Sequence, residues 1–419
     1  MRADRRHPVR LPPSARSRAA LGLTAAAARG RFELQTCTAC GAVQYPPREA
    51  CHRCLSGALH WREQPGTGEL IAETTVHHSN DLFFRERLPW RIGMVRLDAG
   101  PVAIVHVHAA CAAAPARVRV GARLDKSGRG VLVAFPIERI ANMSDDLRLR
   151  EMTCDPKSRK VLVTDGKTPL GQALVRALIG AGADLVWVGH AESGTAASGF
   201  ADLAALPQAA LLPLDLTDSG SVKRIAAQIG DQVDILINTA ELHRAEGIAA
   251  RVTGDSRDAG DSCDAGHSQS AAAHAQMEVN YFGLLRLAQE FGPRMRARGA
   301  DGRPCAVAWV NLSSIYAQSS LAPHETFCAS KAAALSLSQC LRAEMRPAGI
   351  RVINVFPGPI DDTWNPTPAA PTLPADALAR AVVEALEDGV EDVYPGEAAQ
   401  QWLARWRESP KILEIEMGS

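Results

Sequence analysis

The pattern of apolar and polar positions changes character near residue 158. From Gly66 to Pro136 the apolar residues fall in short runs such as ELIAETTVHH, PVAIVHVHA and VLVAF, which Gly, Pro and Asp separate. Short β-rich runs with such breaks predict a small barrel. Beyond residue 158, strand-like runs such as VLVT, DILINTA and IRVINVF alternate with amphipathic stretches of helical length. That alternation predicts a doubly wound parallel α/β sheet.

The segments that flank these two regions have weaker patterns. SRAALGLTAAAARG at 17–30 predicts a short helix that Gly30 closes. The composition of residues 141–158 predicts a charged linker. Residues 251–270 are rich in Gly, Ser and Asp and show no periodicity, which predicts a mobile surface insertion. The chain therefore divides into a tail with a short helix (1–35), a cysteine-containing region (36–60), a barrel (61–140), a linker (141–158) and an α/β domain (159–419).

Length and charge limit the classes of function. A chain of 419 residues exceeds what one hydrophobic core usually supports, which predicts two or three domains. Lys plus Arg and Asp plus Glu both number 46, so no global field attracts nucleic acid or an anionic membrane. No run approaches about 18 apolar residues, and the N-terminus lacks the apolar region of a signal peptide. We therefore expect no membrane span, no secretion and a cytoplasmic location.

Four cysteines form two closely spaced pairs. Cys37 and Cys40 flank TA, Cys51 and Cys54 flank HR, and ten residues separate the pairs. Two such knuckles present four thiolates to one tetrahedral zinc at roughly 2.3 Å, and a closed four-thiolate site has no open position for catalysis. The spacing predicts a structural zinc site. The alternatives are four unrelated reduced cysteines, or His52 as a ligand in place of one thiol.

The cysteine region followed by GTGELIAETTVHHS, LPWRIGMVRLDAGPV and VAFP resembles the acyl-CoA-associated zinc-ribbon and OB-fold family over roughly residues 18–137. Members of that family are usually accessory proteins, so the resemblance implies a docking surface for a thiolase-like or acyl-CoA hydratase partner, and for acyl-CoA or a related small molecule. OB-folds also bind single-stranded nucleic acid by stacking bases on aromatic residues. With only 5% aromatic residues, we favour a partner over nucleic acid; Phe83, Phe84 and Trp90 then belong to the barrel core or the partner surface.

A further set of residues stands at fixed spacing in the α/β domain. Ser314 precedes Phe327 by thirteen residues, and Lys331 follows Phe327 by four, on one helix face. Together with Asn280 in VNYFG, these positions resemble the short-chain dehydrogenase/reductase family, which has a Rossmann-like fold and carries YxxxK where this chain has FCASK. In that family the tyrosine passes a proton, the serine holds the substrate oxygen, the lysine lowers the tyrosine pKa from about 10, and the asparagine anchors a relay water. The resemblance implies catalytic roles for Asn280, Ser314 and Lys331, with Phe327 unable to donate a proton.

The turn after the first strand of the α/β domain departs from the family pattern TGxxxGxG. This chain has TDGKTPLG, so Asp165 and Pro169 occupy two glycine positions and Gly171 remains in register. A carboxylate about 4 Å from a phosphate would cost on the order of 4 kcal/mol at an effective dielectric near 20. Gly166 is expected to supply the turn instead, and Lys167 a compensating charge.

The resemblance implies that NAD or NADP lies along the ends of the strands. His190 falls where relatives carry the residue that selects between the two cofactors, so the preference stays open, and Glu241 replaces the last glycine of the family's NNAG. The expected cofactor-binding residues are Thr164, Gly166, Leu170, Gly171, His190, Asp215, Leu216, Asn238, Lys331, Pro357, Gly358 and Ile360. Three of the site residues also have a structural explanation when taken singly. Asn280 would make a helix hydrogen bond, Ser314 would act as a cap, and Lys331 would lie on a solvated surface.

Two hypotheses of function follow. The first is an NAD(P)-dependent oxidoreductase of acyl-CoA, lipid or steroid-type metabolism, with weak or lost catalysis because Phe327 replaces the tyrosine, although Tyr316 and His324 lie near enough in sequence to donate a proton. The second is a non-catalytic accessory protein that docks a thiolase-like or hydratase partner. The family resemblance favours a homo-oligomer, either a dimer or a tetramer.

Overall fold

The computed structural model describes residues 10–138, 140–193, 196–243, 264–298, 306–322, 324–361 and 372–417. A 3₁₀ turn at Arg18–Ala20 leads into helix α1, Leu21–Ala28, in agreement with the helix predicted over 17–30. The chain leaves that helix through Gly30, whose φ of +68° lies in the left-handed region that favours glycine. A three-stranded antiparallel sheet follows, in the order β2-β1-β3, with bounds β1 Glu33–Cys37, β2 Val43–Gln44 and β3 Leu59–Glu63.

Five strands then close into a barrel in the order β4-β5-β6-β8-β7. The strands alternate between buried and outward-facing residues, as expected of a small barrel filled by side chains. Their bounds are β4 Thr67–Val76, β5 Trp90–Leu97, β6 Val102–Val107, β7 Ala116–Leu124 and β8 Gly130–Pro136, and the short helix α2, Leu82–Arg85, lies between β4 and β5.

The second half contains a seven-stranded parallel sheet in the order β11-β10-β9-β12-β13-β14-β17. The chain reverses direction across the sheet between β9 and β12, which places a crevice at the carboxyl ends of these strands. The bounds are β9 Lys160–Val163, β10 Leu185–His190, β11 Ala209–Pro213, β12 Ile235–Asn238, β13 Ala308–Leu312, β14 Arg351–Val355 and β17 Asp392–Val393, with the small parallel pair β15 Ile360–Asp361 and β16 Leu373–Pro374 beside them.

Helices cover both faces of this sheet, as a doubly wound fold requires. One core layer packs α3 and α8 on the sheet, and the other packs α4, α6 and α7. The bounds are α3 Pro169–Gly180, α4 Ser219–Ile229, α5 Asp264–Met277, α6 Gly283–Ala297, α7 Glu325–Met345, α8 Ala375–Asp388, α9 Gly396–Glu408 and α10 Pro410–Met417.

The segment predicted as a linker, 141–158, is packed between the two halves rather than solvated. Met143, Leu149 and Met152 are buried against the aromatic cluster of the barrel, and Cys154 is buried in a core layer of the parallel sheet. Polar residues of the segment are buried beside them, among them Ser144, Asp146 and Asp155, so its apolar and polar pattern does not indicate which side faces the core.

Arg351, at the start of β14, ties the barrel to the parallel sheet. Its buried guanidinium donates to the carbonyl oxygens of Leu124 (3.1 Å) and Asp125 (3.0 Å) in the barrel, and to the Cys154 sulfur (3.4 Å) in the connecting segment. Buried guanidinium groups need several acceptors, so this residue fixes the two halves relative to each other.

The predicted insertion at 251–270 is only partly described. Residues 251–263 lie outside the described residues, and 264–270 form the first half of α5. Residues 264–270 are helical although their composition does not predict a helix, because Ser, Gly and Asp are poor helix formers. The same helix continues through the alanine-rich residues 271–277.

Candidate functional site

The four cysteines predicted as zinc ligands converge at the tip of the ribbon sheet. Cys37 and Cys54 have sulfurs 3.6 Å apart, as do Cys40 and Cys51, and all four sulfurs lie within 4.8 Å of one another. Zinc–sulfur distances near 2.3 Å require sulfurs about 3.8 Å apart, so the arrangement fits one tetrahedral ion. The four-cysteine site has no position left for a substrate, which makes it structural.

His52 does not belong to this site. Its backbone N–H donates to Gln44 Oε1 at 3.0 Å, and its ring nitrogen Nδ1 lies 3.3 Å from the same oxygen. The imidazole is therefore occupied by Gln44, and the alternative of a histidine ligand loses its support.

The turn between β9 and α3 keeps its tight geometry despite the altered sequence. A Cβ atom on Gly171 would lie 2.0 Å from the carbonyl oxygen of Asp165, and one on Gly166 would lie 2.1 Å from Val188 Cγ1. Only glycine fits at either position. The turn thus retains the close approach of helix to strand that a dinucleotide-binding fold uses.

The amides of this turn are bonded within the protein. Pro169 begins α3 and has no N–H to offer. Three other amides already have acceptors: Gly166 N–H to Gly189 O at 2.8 Å, Lys167 N–H to Asp165 Oδ1 at 2.9 Å, and Gly171 N–H to Thr168 Oγ1 at 3.0 Å. A phosphate at the helix N-terminus would have to compete with these bonds.

Asp165 is the residue most opposed to a phosphate. Burial raises the pKa of its carboxyl above the usual range, against the opposing effect of the Lys167 amide and ammonium. The carboxyl therefore takes up a proton at higher pH than an exposed aspartate does, so a smaller fraction of it is ionised at a given pH.

Three more of the predicted cofactor-binding residues lie at or just after the ends of β10, β11 and β12. His190 is half-buried with its ring 5.5 Å from the Phe200 ring. Asp215 Oδ1 accepts from the amide and hydroxyl of Thr217, at 2.8 and 2.7 Å, so part of this carboxylate stabilises its own turn. At the end of β12, Asn238 is buried and its Oδ1 accepts from Thr164 Oγ1 at 3.1 Å, which joins two of the predicted contacts directly.

Asn280 lies in a π-helical turn, Glu278–Phe282, that joins α5 to α6. Its side chain accepts from Leu242 N–H and donates to Leu242 O and Ser330 Oγ, all at 2.9 Å. Single π-turns are frequent at functional sites. Here the turn directs the amide into the crevice, where it holds the 242 loop against α7.

Lys331 is buried at 2% exposure, which excludes the solvated-surface alternative. Its Nζ donates to the carbonyl oxygen of Leu312 at 3.0 Å and forms an ion pair with Glu241 Oε2 at 2.6 Å. Glu241 stands where the family pattern has glycine, so the exchange provides a counterion for the lysine.

Ser314 lies at the end of β13 on the wall of a pocket. Its Oγ accepts from Tyr316 N–H at 3.2 Å, so the capping role left open from the sequence is also present. We call this partly open cavity the Ser314 pocket; it is lined by Glu241, His243, Ser313, Ser314, Tyr316, Phe327, Pro357, Gly358, Pro359 and Ile360. Ser313 Oγ is buried there without a hydrogen-bond partner among the described residues.

The loop after β14 closes one side of this pocket. Pro357 O accepts from Ile315 N–H at 3.1 Å, and Pro359 O accepts from Leu373 N–H at 2.8 Å. The approach of Gly358 to α9 is close, with Ala398 Cβ 3.3 Å from where its own Cβ would be. Of the predicted loop residues, Pro357, Gly358 and Ile360 all line the pocket.

Phe327 is buried beneath a histidine pair that the motifs did not reveal. The Phe327 ring lies 4.2 Å from the ring of His243, and Lys331 Nζ lies 5.6 Å from its centroid. His243 Nε2 is 2.8 Å from His324 Nδ1. His324 is identifiable from the sequence because it lies close to Phe327, whereas His243 is not, because a loop histidine 81 positions away shows no spacing signal.

Burial sets the charge of this pair. It lowers the pKa of His243, with Glu241 opposing and His324 and Lys331 adding to the decrease, and it lowers the pKa of His324, with Glu325 opposing. The ring of Tyr316 lies nearly parallel to His324 at 6.5 Å, and burial raises the pKa of its phenol. Both histidines are therefore mostly neutral at pH 7.

Three family models match the chain in sequence order. Residues 24–60 match the rubredoxin-like zinc ribbon domain of ChsH2, residues 61–129 match the C-terminal OB-fold domain of ChsH2, and residues 159–370, just over half of the chain, match the short chain dehydrogenase family. The predicted zinc ribbon, barrel and doubly wound sheet are thereby confirmed, and the four-cysteine site is a zinc-ribbon site.

Individual relatives are similar in the C-terminal half. "Probable oxidoreductase EphD" of Mycobacterium tuberculosis is 31% identical over 217 residues, which cover 48% of this chain and 35% of that protein. "Fatty acyl-CoA reductase" of Acinetobacter baylyi is 28% identical over 203 residues, which cover 48% of this chain and 62% of that protein. The chain thus spans less than two thirds of the length of these relatives.

A solved structure shows the same fold. A short chain dehydrogenase from Burkholderia cenocepacia, in complex with NADP, is 29% identical with a TM-score of 0.52, and the match covers 63% of this chain and 99% of that one. Within the described residues, no helix combines the length and apolar character needed to cross a membrane.

Proposed function

This chain belongs to the short-chain dehydrogenase family, and on that premise we propose that it is an NAD- or NADP-dependent oxidoreductase whose catalysis is weakened by Phe327. The observation that carries the proposal is the arrangement of Asn280, Ser314 and Lys331 along one crevice, with Phe327 on the wall of the Ser314 pocket. The scaffold of a reductase site is kept, and the phenol is missing from it.

The residues present fit a dinucleotide with one disfavoured contact. The turn at Gly166 and Gly171 keeps the geometry that lets a helix N-terminus approach a pyrophosphate. Asp215 follows β11 and Asn238 ends β12, so both lie at the carboxyl edge of the parallel sheet. Asp165 is the opposing feature. A relative of known structure was solved in complex with NADP, which supports the same class of cofactor here.

A nicotinamide bound there would supply the hydride of a carbonyl reduction, or accept it in the reverse direction. The chain's own residues do the rest. The Ser314 hydroxyl faces the pocket and would donate to a substrate carbonyl oxygen, where it stabilises developing negative charge. Lys331 and Asn280 hold the surrounding loops in place through Leu312 and Leu242. Phe327 packs but gives no proton.

We propose acyl-CoA, lipid or steroid-type compounds as the substrate class. One similarity supports it: a relative carries the name fatty acyl-CoA reductase. The N-terminal module matches zinc-ribbon and OB-fold domain models, and the family resemblance of that module implies the same class of compound. We also propose a cytoplasmic location, because the four described cysteines outside the ribbon, Cys111, Cys154, Cys328 and Cys340, are free thiols and such thiols persist in reducing compartments.

A binding titration tests the cofactor directly. NADH and NADPH are added to the full chain while nucleotide fluorescence and protein thermal stability are followed. Saturable binding of either nucleotide is expected to raise the unfolding temperature by mass action. Absence of binding at millimolar nucleotide would remove the redox proposal.

Restoring the phenol tests the role of Phe327. Phe327→Tyr is expected to raise NADPH-dependent reduction of acetoacetyl-CoA or a generic ketone tenfold or more, because general acids typically contribute about 10² to 10⁴ in rate. Phe282→Tyr, at an exposed position, is the control and should change nothing. A native rate already in the ordinary range of about 1 to 10³ per second would contradict the proposal that catalysis is weakened.

A second candidate function is a non-catalytic accessory protein that docks a thiolase-like or acyl-CoA hydratase partner through the barrel. An apolar strip on the outer face of β5 and β6 favours this function. Met94 (44% exposed) pairs with Ile104 (65% exposed) across the strands, and Val102 (39% exposed) lies on the same face. Ile104→Glu should abolish co-purification with a co-expressed thiolase or hydratase partner while nucleotide binding stays unchanged. Loss of both properties together would indicate misfolding instead.

A further inference from the structure

The Ser314 pocket holds a possible source of protons beside Phe327. The His243 imidazole lies against the Phe327 ring at 4.2 Å, and both side chains line the same cavity as Ser314. An imidazole that lines this cavity has an N–H group to offer to a substrate oxygen, whereas the phenyl ring can only pack against it.

The two histidines share one hydrogen. A separation of 2.8 Å between His243 Nε2 and His324 Nδ1 requires a proton on one of the two nitrogens. The outer nitrogens, Nδ1 of His243 and Nε2 of His324, have no hydrogen-bond partner among the described residues. A proton lost from one end of the pair is therefore replaceable from the other end through the shared bond.

We propose that His243, hydrogen-bonded to His324, is the proton donor of this site in place of the missing phenol. This inference rests on the proposed function, with a reduced nicotinamide dinucleotide as the co-substrate. The carbonyl carbon gains a hydride from that co-substrate, and the oxygen gains a proton from His243, so the product is an alcohol. His243 then recovers a proton through its hydrogen bond with His324, and one proton from solvent restores the pair.

Charged and titratable groups around the two histidines influence the pH range in which the pair is protonated. Those that face it among the described residues are Glu241, Glu325, Cys328, Lys331 and Tyr316. Glu241 and Lys331 form an ion pair with each other, and they shift the pKa of His243 in opposite directions, Glu241 upward and Lys331 downward. Burial remains as the main influence and lowers the pKa of both histidines. The imidazolium form is thus populated below the ordinary histidine pKa of about 6.5, and reduction by the native chain should become faster as pH falls through that region.

The variant His243→Phe tests the donor because it keeps the ring and removes the nitrogens. Reduction of acetoacetyl-CoA at pH 6 with saturating NADPH is expected to fall tenfold or more, and the dependence on pH below 6.5 to disappear. His60→Gln, on the exposed face of the ribbon, is the matched control and should retain the native profile. The double variant His243→Phe/Phe327→Tyr should regain turnover, since the phenol returns to the pocket.

Two readouts do not depend on turnover. The affinity for NADPH, measured by fluorescence, should be equal in the native chain and His243→Phe. Imidazole NMR should show that His324→Phe shifts the titration of His243, as expected for a coupled pair. Independent titration of the two rings would overturn the shared-proton arrangement.

The outcomes separate this inference from the function on which it rests. If NADPH does not bind the native chain, the proposed function itself fails, and the inference fails with it. If NADPH binds but the native chain shows no reduction at pH 6, His243 is not a competent donor. If His243→Phe keeps the native rate and pH profile, the pair is a packing feature and the inference is wrong.

Discussion

The four-cysteine site and the Ser314 pocket are both predictable from the spacing of four residues, yet they respond differently to the loss of one member. The ribbon has four identical ligands, and no other Cys, His, Asp or Glu among the described residues belongs to the cluster. In the pocket, phenylalanine stands where the family resemblance implies a tyrosine, and two pairs lie beside it: Glu241 with Lys331, and His243 with His324. We therefore expect the metal site to depend on each ligand, and the pocket to tolerate the exchange because other pairs satisfy its polar groups.

The largest expected effect concerns the metal. Cys37→Ser should leave less than half an equivalent of zinc per chain and unfold the ribbon, because structural zinc contributes on the order of 10 kcal/mol to such domains. Metal analysis and circular dichroism measure this, and Cys340→Ser, at an exposed free thiol, is the control. Retention of one zinc by Cys37→Ser would show that another residue can replace a ligand, and the contrast with the pocket would disappear.

A smaller loss of stability is expected when the counterion of Lys331 is removed. Glu241→Gln leaves the buried Lys331 ammonium without an ionic partner and should lower the free energy of unfolding by about 3 kcal/mol. Urea denaturation measures the change. Glu414→Gln breaks an exposed pair with Lys411 and should cost less than about 1 kcal/mol. Equal effects of the two substitutions would mean that the Glu241–Lys331 pair does not stabilise the altered pocket.

Cofactor affinity should respond to Asp165 by a smaller amount. Asp165→Asn removes the carboxylate from the phosphate turn and is expected to tighten NADPH binding about tenfold at pH 8, equivalent to ~1.4 kcal/mol. Because the pKa of this carboxyl is raised, native binding should tighten as pH falls and the carboxyl takes up its proton. The variant should lack that component of the pH dependence.

Asp231→Asn is the control for this change, since Asp231 is 72% exposed on the loop that precedes β12, at the opposite end of the strand from the crevice. Equal affinity of the native chain and Asp165→Asn over the whole pH range would show that no phosphate approaches the turn.

The smallest expected effect is that of single-stranded nucleic acid on the barrel, which we expect not to bind it tightly. With zero net charge and the aromatic residues Phe83, Phe84 and Trp90 packed against one another, the barrel should bind single-stranded DNA or RNA no more tightly than micromolar. Fluorescence anisotropy at low and high salt measures it. Tighter binding that falls steeply with salt, as counterion release requires, would contradict our preference for a protein or acyl-CoA partner.

Sequence reasoning recovered the features whose signal is local. The alternation of apolar runs predicted the parallel sheet, and the CxxC spacing predicted the ribbon, because periodicity and short loops are visible along the chain. Contacts between distant positions were not recoverable. His243 and His324 are 81 residues apart, and Lys331 meets Glu241 only after β12 and α7 have packed together. Likewise, the charged residues of 141–158 concealed a segment that is buried through Met143, Leu149 and Met152.

Arg351 has a consequence for how the chain handles what it binds. The Arg351 guanidinium joins barrel carbonyls to the start of β14. The N-terminal module is therefore packed in a fixed position on the α/β domain and is not connected to it by a flexible linker. A protein held on the barrel would keep one distance and one orientation to the Ser314 pocket. Transfer of a molecule between the two would then depend on a fixed path length rather than on the effective concentration that a loose tether provides.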